Sequence, residues 1–133
     1  MENRLKIRAW HKKHKQMANV EAIDFREDLV EFENAITISG KWGVCYNAQL
    51  PEVILMQCTG LFDKNGKLIY EGDIVEYEFN KMNYRIEFLN GEFLLRRKFK
   101  NIEDITMCDC DYGNEIEIIG NKFEHSHLLG EAQ

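Results

Sequence analysis

The chain has 133 residues, a net charge of −6 at neutral pH, 44% hydrophobic and 30% charged residues, and a single proline. That excludes a disordered tail, a collagen-like repeat and a protein that coats nucleic acid by bulk charge, and it fits one domain over residues 1–133. No apolar run reaches the roughly 18 residues of a membrane span, and the N-terminus lacks a signal-peptide core, so a cytoplasmic location is expected.

Charge is uneven along the chain. Residues 1–16 hold six basic residues against one acid, and the remainder is strongly acidic. Leu5, Ile7 and Ala9 alternate with Arg4, Lys6 and Arg8, the period of a half-buried strand, and the lysines of the following His11–Met17 stretch read as a turn ended by Met17. Phe25, Leu29 and Phe32 stand at i, i+4, i+7, which predicts a two-turn helix over 24–32 capped by Asp24. Residues 34–39 read as a strand. Trp42–Tyr46 and Val53–Cys58 are short apolar runs expected as buried strands, and their cysteines as reduced hydrophobes.

Leu61-Phe62 lead into Asp63-Lys64-Asn65-Gly66, a turn tetrad, before Lys67 to Tyr70. Gly72-Asp73 predicts a second corner, and Ile74 to Phe79 a strand with Val75, Tyr77 and Phe79 on its buried face. Tyr84–Leu89 and Glu92–Arg97 flank Asn90-Gly91, the pair best suited to a two-residue hairpin turn. Glu115–Ile119 predicts a last strand closed by Gly120. The sum is a mainly β fold: a small barrel-like antiparallel sheet of about seven or eight short strands with one or two short helices.

Three blocks carry a family resemblance. They are Arg8-Ala9-Trp10 with the basic turn and Met17, the run from Leu55 through Thr59-Gly60-Leu61 and Asp63-Lys64-Asn65-Gly66 to Ile69-Tyr70-Glu71-Gly72-Asp73-Ile74-Val75, and Ile119-Gly120-Asn121 with Leu128-Leu129. In this order and spacing the chain resembles the YopX family of phage and prophage proteins from Gram-positive bacteria. His125-Ser126-His127 departs from the Asn-Pro-Glu that usually precedes the paired leucines there. The resemblance implies a viral or prophage-encoded, self-associating intracellular protein, and it implies no activity.

In the middle block Gly60, Asn65, Gly66, Tyr70, Gly72 and Asp73 read as fold determinants, because turns need these residue types. Cys108-Asp109-Cys110-Asp111 with His125 and His127 offers zinc-type ligands at the wrong spacing, since a C-x-C pair in a strand aims its thiols to opposite faces. Asp109 to Glu115 lacks the grammar of a calcium loop. No nucleophile motif or phosphate-cradling loop is present, so no catalytic residue, metal or cofactor is expected.

Two binding surfaces are expected instead. Trp10 and Trp42 are candidate anchors for a host or phage protein. Lys12, Lys13 and Lys15, with Arg96, Arg97 and Lys98, are candidates for phosphate contact, aided by aromatics that stack on bases. The expected function is a non-enzymatic accessory protein that binds a macromolecule as a homo-oligomer. A nucleic-acid module is the alternative, and an enzyme of unknown reaction the second alternative.

Overall fold

The computed structural model describes residues 6–38, 40, 42–97, 105–106 and 115–129. Eleven strands are described: β1 (Ile7–His11), β2 (Gln16–Asp24), β3 (Leu29–Thr37), β4 (Val44–Gln49), β5 (Val53–Phe62), β6 (Leu68–Tyr70), β7 (Asp73–Tyr77), β8 (Met82–Leu89), β9 (Glu92–Arg96), β10 (Ile105–Thr106) and β11 (Ile116–Asn121). They form two open antiparallel sheets, ordered β4-β3-β2-β1-β5-β6 and β10-β9-β8-β7-β11. Strand chemistry was legible, but the expected barrel is corrected: both described sheets end in edges. The expected helices are corrected too. The described residues include 3-10 turns at Leu50–Glu52 and Ser126–Leu129 and no α-helix.

The segment read as a helix is a strand–turn–strand. Asp24 Oδ1 accepts the amides of Arg26 (2.9 Å) and Glu27 (3.2 Å), and Asp28 takes a left-handed φ of 55°. This local carboxylate–backbone turn competes with helix and wins. Val30 and Phe32 are then buried by period-2 alternation along β3.

The chain divides into two compact units, residues 1–57 and 58–133. In the first, Ala9, Val20, Val30, Phe32, Ile36, Ala48 and Val53 pack as one buried cluster. The Gln16 side chain clamps the far end of β3: its Nε2 donates to Thr37 O (2.7 Å), and its Oε1 accepts from Thr37 N (3.1 Å). In the second unit the buried cluster is Ile69, Val75, Tyr84, Ile86, Leu95 and Ile116. Its β8–β9 hairpin turns at Asn90 (φ 52°) and Gly91 (φ 84°), as the Asn-Gly pair predicts. The β7 face departs from expectation at its end. Val75 is buried and Tyr77 half-buried, but Phe79 lies past the strand and is 81% exposed.

The middle block is turn architecture. Asp63 is buried; its Oδ1 accepts from Asn65 N and Lys67 N (2.9 Å each), and its Oδ2 from Ile118 N of β11 (2.9 Å). Burial opposes the charge on Asp63. The three amides and nearby Lys67 outweigh it and hold the carboxyl below its usual range. Gly66 (φ 82°) closes that turn, while Gly72 (φ 92°) turns the next corner and donates to Ile86 O at 2.8 Å. Asp73 Oδ2 accepts Tyr70 N at 2.8 Å. Gly60 (φ 84°) sits in the register shift between β5 and β6.

Gly120 has a different reason to be glycine. A Cβ there would lie 2.7 Å from His125 Nδ1 and 2.9 Å from His125 Cβ. His125 Nδ1 also accepts Asn121 N at 3.1 Å, so the ring cannot retreat without losing that bond. Gly120→Ala is expected to cost about 2 kcal/mol, through overpacking and a lost hydrogen bond. Urea unfolding checks this, and His125→Ala on the Gly120→Ala background should recover part of the loss.

Candidate functional site

Three surfaces compete for a functional role: the basic β1–β2 turn, the Arg96–Arg97 end of β9, and the β4 edge with its preceding loop.

The basic turn is built tightly. Lys15 N donates to His11 O (2.8 Å), His14 N to His11 Nδ1 (3.1 Å) and Lys12 N to Glu52 O (3.0 Å). Lys15 adopts φ 52°, and Lys12, Lys13 and Lys15 are exposed. The His11 and His14 rings stack at 4.6 Å. Burial, then the charge of His14, lowers the His11 pKa, so the neutral ring that accepts the His14 amide is the favoured form.

Arg96 and Arg97 lie in the second unit, and Lys98 is outside the described residues. Arg96 Nη1 reaches Glu87 Oε1 at 3.4 Å, and Arg85 also pairs with Glu87. Burial raises the Glu87 pKa. The Arg85 hydrogen bond and charge outweigh it, so the carboxylate stays ionised. Arg97 lies over the Tyr84 ring at 5.9 Å and donates to Met82 Sδ at 2.7 Å. The two basic clusters expected from sequence thus belong to different units, and the second is engaged with its own neighbours.

The tryptophans part company. Trp10, expected as a surface anchor, is 7% exposed: it sits within β1, which pairs with β2 on one side and β5 on the other. The basic residues around it in sequence concealed a strand in the middle of a sheet. Trp42 is 98% exposed. Gly40 (φ 74°) and Gly43 (φ 120°) flank it, and Ile38 N bonds to Gly43 O across the loop at 3.3 Å. The loop therefore presents the indole just ahead of β4.

β4 itself was expected to be buried at its start, and it is not. Val44 and Tyr46 are exposed, at 46% and 63%, whereas Cys45 between them packs against the core. The β3–β4 register breaks between Glu31 and Ile36, and past that break Ala48 takes the buried position. This irregularity carries no sequence signature, which is why Val44 and Tyr46 were missed as surface residues. At the other end of β4, Leu50 N bonds to Asp28 O (2.8 Å) in the turn that carries exposed Phe25. Burial, then the Glu52 carboxylate, pushes the Cys45 thiol up, away from the thiolate form, and its side chain packs against the core.

The stretch Cys108–Asp111 lies outside the described residues; among those described, no three metal-ligating side chains cluster. Asp73, expected as a fold determinant, is buried against the Tyr70 amide.

Comparison with known proteins assigns the family. The family model described as YopX protein matches residues 6–130. The chain belongs to the YopX family. The crystal structure of protein EF1440 from Enterococcus faecalis superposes with a TM-score of 0.64 at 25% identity, covering 93% of this chain and 96% of that one. Protein YopX from Bacillus subtilis matches with a TM-score of 0.55 at 18% identity, covering 92% and 95%, a likeness of fold. No curated protein matches. The resemblance read from the three sequence blocks is therefore borne out over nearly the whole YopX domain.

Proposed function

We propose that this YopX protein is a non-enzymatic phage or prophage accessory protein that acts by binding another macromolecule, and that a protein is the partner. The observation that carries this reading is Trp42, almost wholly exposed beside an edge strand that also presents Val44 and Tyr46. Large apolar side chains held in water at a sheet edge cost solubility, and a partner that covers them recovers that cost. Tryptophan and tyrosine also carry much of the energy at protein interfaces. The acidic net charge and the engagement of Arg96 with Glu87 favour a protein over a polyphosphate. The same proposal includes self-association and a place inside the bacterial host cell, which the family resemblance suggests.

The test is affinity capture from host lysate with the wild-type chain and a Trp42→Ala/Tyr46→Ala variant, each with and without nuclease. The reading expects a discrete protein that survives nuclease and is lost with the variant. Retention that disappears with nuclease, and that falls steeply with salt, would move the function to the exposed Lys12, Lys13 and Lys15.

A further inference from the structure

The described strands leave four outer edges, and they are not equivalent. On β11, Lys64 N donates to Ile116 O (3.0 Å) and Ile118 N is taken by Asp63, so the Asp63 turn covers that edge. β6 is three residues long and β10 two. β4 has six residues, pairs with β3 on one side, and has no described strand on the other. It carries no lysine or proline within its length, the residues that usually blunt an open edge. Its six residues span roughly 20 Å at about 3.4 Å per residue, and apart from Gln49 N, which donates to Glu52 Oε1 at 2.7 Å, the backbone groups turned away from β3 meet no described strand.

The charge around this edge is predominantly negative. From Glu21 to Glu52, the segment that forms the last four residues of β2, all of β3 and β4 and their turns, there are seven acids and two basic residues. Glu31 stands opposite Asn47, Glu27 and Asp28 occupy the turn at the Gln49 end, and Glu52 follows β4. A strand laid beside β4 would run within about a Debye length of these carboxylates.

We propose that the open edge of β4 takes an extended peptide segment bearing basic side chains, added as a further strand of the sheet. The proposal rests on the protein-binding reading above and names the partner's chemistry. Backbone hydrogen bonds to β4 supply affinity, the carboxylates select lysine or arginine on the incoming strand, and Trp42 and Tyr46 pack on its apolar and cationic side chains. A second copy of the chain does not fit edge to edge, because two acidic β4 edges would face each other. Nor does β1 supply the strand, since both of its sides are already paired.

The test uses the full chain, isotope-labelled for amide NMR, and peptides of about eight residues: alternating lysine–valine, alternating glutamate–valine, and the lysine–valine peptide with N-methyl groups at alternate residues. The lysine–valine peptide is expected to shift the β4 resonances and slow exchange of the amides in Val44–Asn47 that face away from β3, and its binding should weaken as salt rises. The glutamate and N-methyl peptides should each bind at least about tenfold more weakly. Absence of lysine–valine binding, equal binding of either control, or protection of β4 in concentrated peptide-free protein would overturn the proposal. If lysine–valine binding fails while Trp42→Ala/Tyr46→Ala still abolishes capture, the edge remains a protein-binding surface and only the basic-strand assignment falls. If that variant captures normally, the underlying reading falls as well.

Discussion

Asp63→Ala is expected to lower the unfolding free energy by about 3 kcal/mol, the largest stability effect of any single polar substitution described for this chain. The carboxylate is buried and accepts three backbone amides, two within its own turn and one from β11. Truncation leaves those donors without their acceptor and frees the turn that covers the β11 edge. Asp63→Asn keeps one acceptor oxygen but aims an amide group at a backbone donor, so a loss of about 2 kcal/mol is expected. Urea unfolding gives the magnitude, and exchange of the Lys67 and Ile118 amides locates it.

The same carboxylate sets a pH dependence with a definite sign. Its pKa is lower folded than unfolded, so its contribution is full above the ordinary aspartate value near 4 and is lost as pH falls through the lower folded value. His11 acts earlier. Its lowered folded pKa means that the unfolded chain takes up a proton first, so stability begins to fall as pH drops below about 6.5. Asp63→Asn should flatten the acidic limb alone, and His11→Gln the limb near neutrality.

Trp42→Ala separates binding from folding. The indole is almost wholly in water, so its removal should change stability by no more than about 0.5 kcal/mol. Binding of the captured partner should weaken by about 2 kcal/mol, roughly thirtyfold, as for an aromatic anchor at the centre of an interface. Trp10→Ala should do the reverse. Its ring is buried in β1, and truncation is expected to cost about 3 kcal/mol of stability whatever its effect on binding. Thermal unfolding beside partner titration of both variants checks the pair.

What could be read from sequence was local. Asn90-Gly91 announced a hairpin because its turn demands positive φ at both positions, and Asp73 announced a corner because a short carboxylate bonds nearby amides; the part played by buried Asp63 was not read, since one of its three amides comes from distant β11. The long middle block fixed the family for the same reason: its residue types are set by turn chemistry. Phe25, Leu29 and Phe32 misled because Val30 and Phe32 fit a strand as well as the triplet fits a helix, and the Asp24 turn decided between them. Barrel closure was out of reach because it depends on how distant edges pair. At the candidate site Trp42 was visible as a lone indole between glycines. Val44 and Tyr46 were not, because the register break that turns them outward lies in the pairing of β3 with β4. Trp10 failed as an anchor because neighbours in sequence do not reveal that a strand is paired on both sides.

The central claim, that partners dock on the β4 edge, is tested most directly by site-specific photo-crosslinking in host cells. A benzophenone side chain is placed in turn at positions 42 and 46 on the β4 surface, at exposed Phe79 in the other unit, and at Lys13 in the basic turn. The account predicts one discrete crosslinked protein from positions 42 and 46 and none from 79 or 13. Crosslinks confined to position 79, or nucleic acid captured at position 13 with nothing at 42 and 46, would contradict it.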